Sequence, residues 1–197
     1  MDWREHQLDE VAFWMRFGTR LAAVNAHHDF FELIWRCFCK TLHDKQFLSA
    51  LEVGIGASGG FLGVIKDIKH RHAVDTLVDF FSRHSFLPLT SHIKYRNANA
   101  ENLPYQDNSF DLLICTNALD HVENREKVVT EIKRVLKPEG YFLFQTYLNV
   151  PNPHPFTFRS TDEVDKLIGM KKIENHVIDD NDKFRARCDY YVAIYQK

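Results

Sequence analysis

The stretch ALEVGIGASGG, residues 50–60, limits the fold of this chain more than any other. Gly54, Gly56 and Gly59 follow a short apolar segment, so the backbone there can turn tightly and pass close to a ligand where a helix begins. The same glycines spell the G-x-G-x-x-G pattern of a dinucleotide-binding turn. Glu52 fits that interpretation poorly, because a carboxylate at the end of an apolar strand is costly unless a ligand amine or a water satisfies it.

Segments with strand and helix patterns alternate after these glycines. Strands are predicted at FLSALEV, HAVDTLV, HIKYRN, FDLLICT and YFLFQTY. The helices predicted between them include one through Phe61, Leu62, Ile65 and Ile68, and one with Val128, Ile132, Val135 and Leu136 on a single face. This alternation predicts an α/β fold: a doubly wound, Rossmann-like and mostly parallel sheet with helices on both faces. The last two strands, KIENHVI and CDYYVAIY, should pair antiparallel at one edge because a short polar loop joins them.

Two further helices are predicted before the glycine stretch, since apolar residues recur at helical spacing from about Leu8 to Leu42. We interpret the chain as a single domain, 1–197, with a helical cap at 1–45 and a cofactor-binding core at 46–197. The aromatic residues of the cap that could face a ligand are Trp3, Phe13, Trp14, Phe17 and Phe31. Aromatic residues at helical spacing belong to a core more often than to a binding site, so one or two of them should contact a ligand.

Charge and hydropathy exclude several classes of partner. With 25 Lys and Arg against 27 Asp and Glu, the formal charge is −2, so no cationic excess is available for a phosphate backbone and we expect no nucleic-acid partner. No apolar run is as long as a membrane span, and the start MDWREHQLDE lacks the features of a signal peptide. We therefore expect a cytoplasmic protein without a membrane partner, and a small molecule as its ligand.

Asp75 is the next informative carboxylate. It follows the glycines at the end of the second predicted strand, where an acidic side chain can bind the two hydroxyls of a ribose. Nicotinamide and adenosyl cofactors both present such a ribose, so Asp75 predicts a nucleotide site without choosing between them.

Residues 97–144 discriminate better between nicotinamide and adenosyl cofactors. NAENLP, SFDLLICTNAL, HVEN and RVLKPEG occur there in that order, and Glu52 with the first two glycines matches an acidic-x-G-x-G pattern. In these motifs the chain resembles the class I S-adenosylmethionine-dependent methyltransferases of the methyltransferase domain 11 type, from about Phe47 to the C-terminus. Two positions depart from the family pattern. Ser58 stands where many members have a third glycine, and Asn99 replaces the usual Asp, which keeps a carbonyl acceptor but loses the charge.

The resemblance implies S-adenosylmethionine as the cofactor and a seven-stranded sheet in the order 3-2-1-4-5-7-6 with the last strand antiparallel. The implied cofactor contacts are Glu52 near the methionine amino group, Gly54 and Gly56 beneath the methionine part, Asp75 on the ribose, Asn99 and the Ala100 N–H on the adenine, Thr76, Leu77 and Leu103 on the adenine faces, and Asn117 after the fourth strand.

Candidate catalytic residues follow the fourth and fifth strands. Asp120 and His121 should lie at the carboxyl edge of the sheet, and His154 could approach from the other side. Histidine titrates near neutral pH and suits a general base, which methyl transfer needs only when the nucleophile arrives protonated. Asn117, Asp120 and His121 also match the spacing of a magnesium site in some O-methyltransferases, but the amide replaces a carboxylate, so we expect no metal.

Three functions remain open at this point. The first is methyl transfer to oxygen or nitrogen of a small-molecule acceptor, such as a sugar or a secondary metabolite. The second is a non-catalytic, methyltransferase-like scaffold or activator subunit. The third takes G-x-G-x-x-G at face value as an NAD-dependent oxidoreductase, and leaves Glu52 and the closing antiparallel strands unexplained.

Overall fold

A computed structural model describes residues 3–17, 21–56, 59–84, 92–150, 156–178 and 189–197. In chain order the helices are α1 (Trp3–Phe17), α2 (Leu21–Phe38), α3 (Val78–Arg83), α4 (Arg125–Val135) and α5 (Thr161–Ile168). The strands are β1 (Phe47–Val53), β2 (Ile68–Asp75), β3 (Ile93–Asn97), β4 (Phe110–Thr116), β5 (Leu136–Leu148), β6 (Lys171–Ile178) and β7 (Asp189–Gln196). Among these helices, none is long and apolar enough to cross a membrane.

The strands form one seven-stranded sheet in the order β3-β2-β1-β4-β5-β7-β6. Strands β1 to β5 pair in parallel, and β7 runs antiparallel to both of its neighbours, β5 and β6. The predicted order and the antiparallel last strand are both confirmed. Because parallel strands end at the same edge, the segments after β1, β2, β3 and β4 meet there.

Apolar side chains cover both faces of the sheet, as expected for a doubly wound fold. On one face, Val128 and Ile132 of α4 and Val164 of α5 are fully buried. On the other, which we call the α2 face, Phe31 and Ile34 of α2 pack over the strands. The predicted N-terminal helices are therefore present, and the second of them is part of the core.

The segment after the glycines differs from its prediction. Instead of a helix through Ile68, it forms one 3₁₀ turn, Phe61–Gly63, and Ile68 begins β2. The guanidinium of Arg71 donates to the backbone carbonyls of this segment, at 2.6–3.2 Å, namely those of Leu62, Ile65, Lys66 and Ile68. Carbonyls bonded to a side chain need no helical N–H, so the apolar spacing packs against the core without a helix.

The prediction for Leu136 is also corrected. Helix α4 ends at Val135, and Leu136 has extended dihedral angles, φ −75° and ψ 132°, as the first residue of β5. Pro138 disfavours the helical conformation at the residue before it, so the helix cannot continue into KPEG. That segment forms an irregularity in the pairing of β4 with β5, with Glu139 at φ +60°.

Candidate functional site

A cavity lies at the carboxyl edge of the sheet, where parallel strands commonly bind ligands. Water-sized spheres can be centred within about 120 Å³ of it, and it is partly open to solvent. The predicted site residues that line it are Gly54, Gly56, Asp75, Thr76, Leu77, Asn99, Ala100, Asn117 and His121. Residues from four separate strand ends thus share one space, as the topology requires.

Asp75 ties the glycine turn to the start of α3. One carboxylate oxygen accepts from the Gly56 N–H at 3.0 Å, and the other accepts from the Leu77 N–H at 2.9 Å. Burial raises the pKa of Asp75, although these two hydrogen bonds oppose the rise. Each oxygen keeps a second lone pair, so the carboxylate can still accept hydrogen bonds from a ligand.

Glu52 does not line the cavity. Its side chain is fully buried, and its two oxygens accept from the backbone N–H groups of Phe61 and Leu62 at 3.2 and 3.0 Å. Burial raises the pKa of Glu52 to about 7 against the opposing effect of these bonds. The interpretation that a ligand must satisfy this carboxylate is therefore wrong, because the 3₁₀ turn of the chain itself does so.

The glycine turn packs so closely that side chains cannot replace its hydrogens. A Cβ on Gly60, which has φ +51°, would overlap the carboxylate of Glu52. A Cβ on Gly54 would overlap the Ala118 side chain after β4. The carbonyl of Gly59 accepts an ordinary turn hydrogen bond from the Gly63 N–H at 3.2 Å, and Gly59 does not line the cavity. The third glycine of G-x-G-x-x-G is therefore a turn residue here.

His121 lies between two carboxylates. Its Nδ1 is 3.1 Å from Glu10 Oε1, and its Nε2 is 3.6 Å from Asp120 Oδ2. Burial lowers the pKa of His121, but the hydrogen bond to Glu10 and the charges of Asp120, Glu10 and Asp75 outweigh burial, so the net pKa is raised. Asp120 is buried beside the imidazole and outside the cavity lining.

Helix α1 covers the cavity with three residues, of which the sequence predicted only Trp14 as a possible ligand contact. Gln7 accepts a hydrogen bond from the Thr76 hydroxyl at 2.8 Å, and Glu10 binds His121 as described. The Trp14 indole lies so close to Gly56 that an added Cβ would be 2.7 Å from its ring. Gln7, Glu10 and Trp14 share one helical face, and this polar and aromatic face is the signal that could have predicted their role.

The other predicted residues divide between the core and the surface. Phe31 packs in the core against Phe61, with ring centroids 4.9 Å apart, and Phe13 is half exposed. Leu103 is buried in the core rather than in the cavity lining. His154 lies outside the described residues, as do the side chains of Trp3 and Phe17. Within the described ranges, no three His, Cys, Asp or Glu side chains are arranged to hold a metal ion.

Asn99 contacts its own turn. Its side-chain carbonyl accepts from the Glu101 N–H at 2.8 Å, within the loop that lines the cavity. An amide oxygen has two lone pairs, so one of them stays available to a ligand amine. The contact of Asn99 with an adenine stays a prediction.

Comparisons with known proteins agree with this geometry. Residues 51–144 match the family model described as a methyltransferase domain. The ubiquinone/menaquinone biosynthesis C-methyltransferase UbiE of Brucella canis is 30% identical over 113 residues, 54% of this chain and 42% of the relative. The chain spans about half the length of the curated relatives it matches.

Two solved structures share the fold. The N-methyltransferase NodS of Bradyrhizobium japonicum WM9, in complex with S-adenosyl-L-homocysteine, superposes with a TM-score of 0.68 at 13% identity, covering 95% of this chain and 98% of that one. The [4+2]-cyclase SpnF superposes with a TM-score of 0.64 at 16% identity, covering 89% and 81%.

We expect Gly60→Ala to lower the free energy of unfolding by at least about 2 kcal/mol, because its Cβ would displace the Glu52 carboxylate and the residue has a left-handed φ. Gly63→Ala is the matched control, since a Cβ there meets nothing within 4 Å. Urea denaturation of both variants measures the difference. Equal stability of the two would contradict the packing of Glu52 against Gly60.

The raised pKa of Glu52 predicts a pH dependence of stability. A carboxyl whose pKa is about 7 when folded and 4.5 when unfolded stabilises the folded chain at low pH, and this contribution is lost as the pH rises through about 7. Between about pH 5 and pH 8 the loss is on the order of 2–3 kcal/mol. Glu52→Gln should reduce this slope in urea denaturation at a series of pH values, whereas Glu123→Gln, at an exposed position, should keep it.

The contact of Glu10 with His121 predicts an NMR result. Because Glu10 helps to raise the pKa of His121, Glu10→Gln should move the titration midpoint of the His121 imidazole to lower pH. Asp9→Asn removes a carboxylate from the exposed side of α1 and should leave the midpoint in place. An unchanged midpoint in Glu10→Gln would show that α1 does not hold this position in solution.

Proposed function

Because the chain belongs to the class I S-adenosylmethionine-dependent methyltransferases, we propose that it binds S-adenosylmethionine at the carboxyl edge of its sheet and methylates a small-molecule acceptor. The observation that carries this proposal is the cavity that joins the glycine turn, Asp75 and the segment after β4. We assign its walls to the methionine, ribose and adenine parts of the cofactor, in the order that the family motifs imply.

Asp75 is the residue we assign to the ribose. Its two backbone hydrogen bonds fix the carboxylate at the end of β2 and leave one lone pair on each oxygen. Two neighbouring acceptors suit two neighbouring hydroxyls. The Ala98–Glu101 loop, which includes Asn99 and Ala100, then faces the adenine.

Glu52 acts on the methionine part of the cofactor indirectly. The carboxylate holds the 3₁₀ turn, the turn keeps Gly60 in place, and the preceding glycines can then pass beneath the ligand. We therefore propose Glu52 as a positioning residue rather than a contact of the amino group. Gly54 and Gly56 keep their proposed place below the methionine part, with Trp14 as the outer wall.

His121 is the residue we assign to proton removal. S-adenosylmethionine supplies a methyl group on a positively charged sulfur, and a nucleophile in line with the carbon–sulfur bond accepts it. An oxygen or nitrogen nucleophile that carries a proton must lose it, and His121 lines the cavity with Glu10 fixing its ring. Asp120, beside Nε2, would stabilise the imidazolium that forms. His154, which lies outside the described residues, remains a proposed alternative base.

The chemistry of the acceptor is not a property of the fold. A C-methyltransferase and an N-methyltransferase are among the similar proteins, and another structural neighbour is a [4+2]-cyclase. We propose oxygen or nitrogen as the methylated atom because His121 can remove a proton from either. The family match and the place of Gly59 argue against the NAD-dependent alternative. A non-catalytic scaffold remains the second candidate, because a fold that also occurs in a cyclase does not by itself specify methyl transfer.

Calorimetry with S-adenosyl-L-homocysteine tests the cofactor site. Asp75→Asn should weaken binding by at least about tenfold, because one of the two acceptor oxygens becomes a donor that faces backbone N–H and ribose hydroxyl groups. Asp79→Asn makes the same change outside the cavity lining, on α3, and should bind as the wild type does. Folded wild-type protein that binds neither this product nor S-adenosylmethionine would refute the proposed function.

A further inference from the structure

Gln145 near the end of β5 is a buried amide to which no other described residue is hydrogen-bonded through the side chain. None of its surface is exposed, and among the described residues neither Nε2 nor Oε1 has a hydrogen-bond partner. Oδ1 of Asn117, which lines the cavity, is likewise buried and without a partner in the described part of the chain. The two residues are linked, because the Asn117 N–H donates to the Gln145 carbonyl at 3.0 Å.

Gln145 lies between the cavity and a cluster of aromatic side chains. Gln145 pairs with Thr116 of β4, directly before Asn117, and with Val192 of β7. Side chains two apart in a strand share a face, so Tyr147 lies beside Gln145 on the α2 face. The Tyr147 and Tyr190 rings are 4.6 Å apart, and the Phe30 ring is 5.2 Å from Tyr190.

Unpartnered polar atoms grouped at one edge of a core are unusual. Each buried donor or acceptor without a partner destabilises the fold, so such groups are rare and often belong to a functional site. The neighbours Leu143, Val192 and Ile194 on this face are apolar. The hydroxyl of Thr116, opposite Gln145 on β4, donates to Glu52 Oε1 at 3.5 Å instead. The polar atoms of Gln145 do not stabilise the fold, yet they lie near the strand end that forms the proposed methyl-transfer site.

On the basis of the function proposed above, we propose that Asn117 and Gln145 recognise the methyl acceptor, an uncharged planar ring compound with a hydrogen-bond donor beside an acceptor. The Gln145 amide has the complementary pair, with one N–H side and one carbonyl side. A charged group would be costly beside Gln145, since its amide is neutral and buried next to Leu143, Val192 and Ile194. Tyr147 and Phe30, both half-buried, offer ring surfaces against which a planar compound packs.

Asn117 orients the reacting atom in this arrangement. Its Oδ1 accepts a hydrogen bond from an N–H or O–H of the acceptor other than the one that reacts, which turns the lone pair of the reacting atom toward the methyl group. The lone pair forms the new bond to the methyl carbon, the carbon–sulfur bond of S-adenosylmethionine breaks, and its electron pair stays on sulfur as a thioether. The proton of the reacting N–H or O–H passes to the neutral His121 imidazole.

Access to Gln145 requires movement of the N-terminal helices, because no part of its side chain is exposed. Phe30 of α2 packs on Tyr190 beside it, and α1 is attached through Gln7, Glu10 and Trp14. Leu8 and Met15 of α1 are exposed, so these two apolar side chains do not help to hold the helix.

Thermal unfolding of Gln145→Met is the first test. Methionine fills a similar volume without unpartnered polar atoms, so Tm should rise by about 2–4 °C. Gln106→Met makes the same substitution at an exposed loop position and should change Tm by less than about 1 °C. A lower Tm for Gln145→Met would mean that the amide has a structural partner, and would overturn the proposal.

The second test follows label transfer from methyl-labelled S-adenosylmethionine to uracil, 2-pyridone and salicylamide, with benzylamine and benzoate as charged probes. Wild-type protein should label at least one of the first three and neither charged probe. Gln145→Met should lower kcat/KM for that probe at least about tenfold, and leave the Kd for S-adenosyl-L-homocysteine within about twofold.

Each outcome of the second test identifies which proposal fails. If wild-type protein binds S-adenosyl-L-homocysteine but labels none of the uncharged probes, or prefers a charged one, the acceptor class is overturned. An unchanged kcat/KM in Gln145→Met removes Gln145 from recognition. Absence of S-adenosyl-L-homocysteine binding refutes the proposed function instead.

Discussion

The site depends on the buried carboxylate of Glu52. Its oxygens hold the N–H groups of Phe61 and Leu62, and only a glycine at position 60 leaves room for it. A carboxyl group that is removed from water requires such donors, and the N–H groups of the 3₁₀ turn require an acceptor, so each satisfies the other. The 3₁₀ turn also positions Gly56, whose N–H donates a hydrogen bond to Asp75 at the end of the next strand. The contact between Glu52 and the 3₁₀ turn lies outside the cavity lining, yet it determines the shape of the cavity wall.

Helix α1 joins the cavity to the rest of the chain through polar contacts. Glu10 supplies a carboxylate to His121, whose imidazole also lies beside Asp120 and near Asp75. A proton taken up by this imidazole offsets the negative charge of the three carboxylates, which strengthens the contact between α1 and the edge of the sheet. His121, the proposed proton acceptor, therefore also helps to hold α1 over the cavity. The position of α1 and the transfer of the proton are thus electrostatically coupled.

Sequence patterns predicted the sheet well and the connections less well. The order of the strands follows from motifs with a specific family resemblance, and the strands themselves from apolar runs of the right length. The helix expected through Ile68 failed because Arg71, which lies outside the apolar pattern of that segment, takes the carbonyls that a helix would use. The cavity residues after β1, β2 and β4 were predictable since parallel strands end together, whereas Gln7, Glu10 and Trp14 required knowledge of how α1 docks.

The amino-acid sequence by itself determined the α/β architecture, the resemblance to methyltransferases and the positions of Gly54, Asp75 and His121 at one edge, because motifs, strand pattern and topology suffice for these. The tertiary structure alone decided what each polar group contacts. It turned Glu52 inward to the 3₁₀ turn, brought Glu10 to His121, and left the amide of Gln145 buried without a partner among the described residues. The physical reason is that hydrogen bonds form between atoms within about 3 Å, and only packing brings residues so far apart in the chain to that distance.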